Sequence, residues 1–366
     1  MVSITERPAD HALAILRGRV RRHLNPFFSF SGTQDALAAL DSVTTPASDE
    51  WAAAFMALGQ ARAQQAGQFT QDGDSAAALG AWRQAYDYCH IARYPYADTD
   101  AKRKAHALAV SHFRRASEQA DSIQHITIGC PAGPIEAVLQ HPGQPGPVPL
   151  IIGVGGLDVW KEEMISVVAV PYVAAGFAVL ALDGPGTGDS PFPMSTAADV
   201  MWDAVLDWAD SRPDFSACRA ILGTSLGGYW ATRVAHTHAS RLTAAINHGG
   251  PAHYTFSSEW FDFWVDRGEY PVGFAAAFRT ITRSADASEL TARFSELSLL
   301  DSGVLELQSA PLLLVNGRHD RTIDPRDMEL LLMTGPPKSA RFFAAGHMGF
   351  TPQTVPTMIE WLRTKI

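Results

Sequence analysis

The chain has 366 residues, 46% of them hydrophobic and 18% charged, which is ample material for a buried core and excludes a disordered or fibrous chain. A net charge of −9 with no long Lys/Arg run argues against nucleic acid as a partner. The three cysteines, Cys89, Cys130 and Cys218, are too scattered for a disulfide framework or a metal site, and they fit a reducing, cytoplasmic setting.

The opening stretch MVSITERPADHALAILRGRVRRHL has charges that interrupt any apolar segment, so it does not read as a secretory leader. From there to about residue 122 the chain is Ala-rich with helical spacing. Helices are predicted over 34–43, 49–66, 74–92 and 99–120, with Asp74 and either Thr99 or Asp100 at N-cap positions. Leu79, Trp82, Tyr86 and Cys89 recur at three- and four-residue steps, an amphipathic face. Tetratricopeptide-like pairing is disfavoured because no second copy recurs at a fixed period.

Near residue 123 the texture changes. SIQHITIGC and GPIEAVLQHP read as short strands around the turn signal Pro131-Ala132-Gly133, forming the first edge of a sheet. Apolar runs then predict strands at 148–154, 177–182, 219–223, 242–247, 311–316 and 339–343, with helices between them and a last helix at 353–364. Such alternation means a mostly parallel sheet with helices on both faces. The apolar stretch Ile165–Leu182 is divided by Pro171 and Gly176, so it reads as a buried helix to Ala175 and then a strand, not a membrane span. The connection from about Gly249 to Ala310 is too long for a structureless loop. Its Phe256, Trp260, Phe263 and Trp264 have helical spacing, which suits a core-facing helix or a lid over an apolar substrate.

The chemistry concentrates at strand ends. G-x-S-x-G at 223–227 lies between a strand and a helix, a context that strains the turn and exposes the Ser225 hydroxyl. A serine needs a base to become a nucleophile. Of 13 histidines, His347 in AAGHMGF follows the last strand, whereas His319 adjoins Asp320 and would point away from it. Asp320, in the loop after PLLLVN, is the expected acid; Asp324 precedes Pro325 and reads as an N-cap. The oxyanion donors expected are the backbone N–H groups of Leu226 and Gly156, with Leu157 the alternative to Gly156. DGPGTGDS at 183–190 departs from phosphate-loop patterns and reads as a loop flooring the site; His236-Thr-His238 reads as a helix end, and no cluster has metal-ligand spacing.

The segments YCHIARYPYADTDAKRKAHALAVSHFRRA, GGLDVWKEE, LDGPGTGDS, GTSLGGYWATRVA, NGRHDRTIDP and AAGHMGF together resemble the FrsA-like branch of the α/β-hydrolases. The resemblance implies an N-terminal helical cap (1–122) on an α/β-hydrolase core (123–366), with a helical lid insertion at about 249–310. It also implies a homodimer, a site between cap and core, no cofactor, and a small-molecule substrate cleaved at an ester or at a C–C bond beside a ketone. Ser225, Asp320 and His347 fall on the family's triad. Trp160, Trp260 and Trp264 would contact an aromatic or polyketide-like substrate, and Glu259 or Asp262 would be an assisting acid. The alternatives are an acyltransferase with the same triad and a non-catalytic ligand-binding member of the fold.

Overall fold

The computed structural model describes residues 9–28, 30–118, 120, 122–257, 259–260 and 274–366. They divide into two compact units: the first takes the described residues up to Ile123 together with 274–277, and the second takes those from Gln124 onward apart from 274–277. The first unit is helical: α1 (Ala9–Arg22), α2 (Thr33–Ser42), α3 (Asp49–Gln71), α4 (Ser75–Ala92) and α5 (Asp100–Ser117). Helix α1 lies in the opening stretch, for which no helix is predicted. Its signal is local, since Ala12, Leu13, Leu16 and Val20 make one buried stripe. Helix α3 outruns its expected end at residue 66 and stops at Gly73, whose φ of +79° a side chain would disfavour. Asp74 then caps α4 by accepting from Ala77 N at 3.0 Å, and Thr99, not Asp100, caps α5 through Lys102 N at 3.3 Å. The unit's core is aromatic: Trp51 lies 4.6 Å from Phe55, and its indole N–H donates to Ile91 O at 2.9 Å. Of the predicted α4 face, Tyr86 and Cys89 are buried and Leu79 and Trp82 half-buried.

The second unit is built on one sheet, which among the described residues has eight strands in the order β1-β2-β4-β3-β5-β6-β7-β8. The strands are β1 (Ile123–Ile128), β2 (Ile135–Gln140), β3 (Val148–Val154), β4 (Ala178–Leu182), β5 (Phe215–Thr224), β6 (Ala244–His248), β7 (Leu312–Gly317) and β8 (Ser339–Phe343). β2 pairs antiparallel with β4, and the pairs from β4 through β8 are parallel. Strands β4, β6 and β7 are buried throughout, as continuous apolar runs require when both faces are covered. The parallel register places Val154, Gly223 and Asn247 side by side, so the loops after β3, β5 and β6 open at one edge.

The segment before β4 differs from expectation. Instead of one buried helix it forms a short turn of helix α6 (Lys161–Glu163), a wide π turn over Met164–Val168 closed by Ala169 N donating to Met164 O at 2.8 Å, and α7 (Val170–Ala174). Pro171 lacks an N–H and crowds the preceding turn, which breaks the helix there. Ser166 and Val170 are exposed. Helices α8 (Asp199–Asp210) and α9 (Leu226–Thr237) flank β5 in sequence. The long connection after β6 holds α10 (Phe274–Thr282) and α11 (Ala287–Glu296); α12 (Pro325–Met333) and α13 (Thr354–Arg363) follow β7 and β8. Phe256 is core, stacked edge-on against Tyr229 at 5.3 Å and Phe294 at 5.8 Å. None of the three cysteines is in a disulfide, and no helix among the described residues is long and apolar enough to cross a membrane.

Candidate active site

Ser225 sits between β5 and α9 with φ 51° and ψ −124°, a strained conformation for a residue with a Cβ. Two bonds hold it there: its N–H donates to His248 O at 2.8 Å, and its carbonyl accepts from Gly228 N at 2.8 Å. Gly227 is required behind it, since a Cβ would strike the carbonyl oxygens of Val154 and Gly155. His347 opens the loop after β8. Its Nε2 lies 2.8 Å from Ser225 Oγ and its Nδ1 2.9 Å from Asp320 Oδ2. A carboxylate can only accept, so Nδ1 carries the proton and Nε2 is left to accept from the serine.

Asp320 is buried and fully hydrogen-bonded. Oδ2 also accepts from Asn316 Nδ2 at 2.8 Å, and Oδ1 accepts from Thr322 N at 2.7 Å and Ile323 N at 3.2 Å. Burial alone would push its pKa up. The His347 ring and these donors outweigh that, so the carboxyl titrates below its ordinary value and is ionised at neutral pH. Asp324 has the other role: its side chain accepts from Arg326 N at 2.9 Å and starts α12. Asp320→Asn is therefore expected to cut turnover by several orders of magnitude, whereas Asp324→Ala keeps activity and loses about 1 kcal/mol of stability. Steady-state rates and thermal melts of the two variants check this, and reversed effects would reverse the assignment.

The backbone beside the hydroxyl belongs to Gly156: a Cβ there would lie 3.4 Å from Ser225 Oγ. Leu226 begins α9, where helix N–H groups lack intrahelical acceptors. Trp160 is buried and donates its indole N–H to Leu157 O at 3.0 Å, so it shapes the turn carrying Gly156. Trp260 is half-buried and donates to Thr322 O at 3.3 Å, touching the Asp320 loop. Glu259 and His319 are exposed. Asp262, Phe263 and Trp264 lie outside the described residues.

Three groups of residues not singled out for the site support it. Lys161 N donates to Asp183 Oδ1 at 2.8 Å, and its Nζ reaches Asp183 at 2.9 Å, Asp189 at 2.5 Å and Glu162 at 3.0 Å. The loop after β3 is thereby bonded to DGPGTGDS after β4. Burial disfavours the Lys161 charge, but the three carboxylates outweigh it and raise its pKa well above the usual value. Asp183 is raised by burial against the pull of Lys161. Asp327 accepts from the N–H groups of His253 at 2.8 Å, Tyr254 at 2.7 Å and Thr255 at 3.2 Å, which fastens the start of the long connection to α12. His248 donates from Nε2 to Met348 O at 2.6 Å.

Burial lowers His248 from 6.5 to about 4, and lowers His112 and His236 as well. Below pH 6.5 the unfolded chain binds protons that the folded chain refuses. The stability that depends on these neutral rings is therefore fully present above about pH 6.5 and declines toward pH 4, with His248 alone accounting for roughly 3 kcal/mol of the decline. Thermal melts should fall along that range, less steeply in His248→Gln. A flat profile would contradict the buried neutral rings.

A family profile described as "Esterase FrsA-like" matches residues 29–333. Alpha/beta hydrolase ucsC of an Acremonium species is 30% identical over 229 residues, covering 54% of this chain and 46% of that protein, so the chain spans about half of its length. Hydrolyase ccsE of Aspergillus clavatus is 24% identical over 293 residues, covering 66% of this chain and 67% of that one. The crystal structure of 2,6-dihydroxy-pseudo-oxynicotine hydrolase superposes with a TM-score of 0.74 at 21% identity, covering 91% of this chain and 92% of that one, a likeness of fold. With a profile match across most of its length and a mostly parallel sheet flanked by helices, the chain belongs to the FrsA-like esterase family of α/β-hydrolases.

Proposed function

We propose that the chain is a serine hydrolase in which Ser225, His347 and Asp320 form the triad. The observation that carries this is the pair of contacts at 2.8 and 2.9 Å linking Ser225 Oγ through the His347 ring to an ionised, buried Asp320. Ser225 Oγ attacks a carbonyl carbon while His347 Nε2 takes its proton. Asp320 holds the tautomer and stabilises the imidazolium. The backbone N–H groups of Leu226 and Gly156 receive the oxyanion. His347 returns the proton to the leaving group, which is an alkoxide from an ester or an enolate from a C–C bond flanked by carbonyls. Water, activated by the same histidine, then releases the acid. These steps need no cofactor.

The substrate class we propose is an aromatic or polyketide-like small molecule. The name 2,6-dihydroxy-pseudo-oxynicotine hydrolase, borne by a structural neighbour, and the half-buried Trp260 beside the Asp320 loop support it. Three unpaired cysteines support a cytoplasmic setting, and the family resemblance supports a homodimer. A screen of aryl esters, aryl ketones and β-diketones with product masses read out tests the reading. Ester or C–C cleavage products that incorporate one atom of oxygen from labelled water are expected. Transfer of the acyl group to an amine or alcohol with no labelled acid would overturn hydrolysis.

A further inference from the structure

His248 ends β6 and is used twice. Its backbone carbonyl accepts the N–H of Ser225 at 2.8 Å, one of the two bonds that hold the strained nucleophile turn. Its side chain reaches the opposite wall of the site, where Nε2 meets Met348 O at 2.6 Å. A carbonyl can only accept, so Nε2 carries the proton and the ring is a donor. The ring is buried, with 2% of its surface exposed, and the Phe350 ring packs edge-on against it at 5.4 Å.

Met348 directly follows His347 and has φ 64°, a left-handed conformation that a residue with a Cβ rarely adopts unless its surroundings impose it. Two side chains impose it here. Asn316 Oδ1 accepts from Met348 N at 2.9 Å, while Asn316 Nδ2 donates to Asp320 Oδ2 at 2.8 Å. His248 holds the other end of the same residue by its carbonyl. Asn316 therefore couples the base loop to the acid, and His248 couples it to the nucleophile.

We propose that His248 is a positioning residue: its Nε2–H holds Met348 so that the adjoining His347 meets Ser225, whose own N–H the same residue fixes. The inference rests on the hydrolase reading above and adds a fourth side chain on which the geometry of the triad depends. Loss of the donor takes from Met348 O its 2.6 Å partner and frees a strained residue to relax, which displaces the ring beside it. A displacement on the order of 1 Å at a reacting group costs up to about 100-fold in rate.

The test uses the full chain and a fluorophosphonate probe, whose reaction with Ser225 requires no knowledge of the substrate. Saturation kinetics separate probe binding (KI) from the covalent step (kinact). In His248→Phe, which keeps an apolar ring but no donor, kinact is expected to fall about 10- to 100-fold with KI within about threefold. In His248→Gln, whose amide can donate from near the Nε2 position, most of kinact is expected to return. A variant that merely misfolds would lower the fraction of chains labelled, read by intact mass, while the labelled chains react at the parent's rate. That result would overturn the proposal, as would a Phe variant with the parent's kinact or a Gln variant no better than Phe. A parent chain that does not label at all would instead overturn the hydrolase reading, and the positioning role with it.

Discussion

Ser225→Ala is expected to remove turnover while leaving the fold intact. The hydroxyl is only partly buried and makes one contact, the 2.8 Å bond to His347 Nε2, so little packing is lost. The strained backbone at φ 51° is anchored by main-chain bonds to His248 and Gly228, which alanine keeps. Without the nucleophile, only the oxyanion donors and substrate binding remain, and loss of a triad serine in other enzymes costs on the order of 10⁶-fold in kcat. A melting temperature near that of the parent together with activity below detection is the expected pair of results. A variant retaining more than a few per cent of the parent's rate would mean that another group performs the attack.

Lys161→Met is expected to have the largest effect on stability. The ammonium is buried and balances carboxylates of Asp183, Asp189 and Glu162 that are not all able to reach water. Removing one partner of a buried pair costs roughly 3–5 kcal/mol, because the remaining charge is stranded. In a domain of this size that corresponds to a fall in melting temperature on the order of 10 °C. The damage reaches the site, since the turn carrying Gly156 and the loop after β4 are bonded through this lysine. Neutralising the stranded partner in Lys161→Met/Asp183→Leu should restore part of the loss. Thermal and denaturant melts of the single and double variants measure this; a single variant as stable as the parent would show that the cluster does not bind the two loops together.

The sheet was legible because its strands are short apolar runs bounded by Gly, Pro and Asp, and buried parallel strands offer no other pattern. Runs such as LIIGV and LLLVN place their strands to within a residue or two. The residues of the candidate site were legible for a related reason: Ser225, Asp320 and His347 each stand just beyond a strand, where one sheet edge gathers them. The rest depended on information that is not local. Helix α1 is harder to read, because the charges that interrupt the stripe Leu13, Leu16, Val20 obscure its apolar face. The break at Met164–Val168 is masked by the continuous apolarity of the run, and only Pro171 marks it. Nothing local marks His248 or Asn316, since their partners, Met348 and Asp320, lie in other loops. Lys161 stands beside two glutamates in sequence, yet the carboxylates it reaches after β4, Asp183 and Asp189, are brought to it only by the pairing of β3 with β4.

One serine out of many is proposed to be activated by one histidine and one aspartate. This is tested most directly by reacting the parent chain and His347→Asn with the same fluorophosphonate and mapping the adduct by peptide mass spectrometry. A single adduct per parent chain is expected, on the peptide containing Ser225, with labelling slower by several orders of magnitude in His347→Asn. An adduct on any other residue, or equal labelling of the two chains, would contradict it.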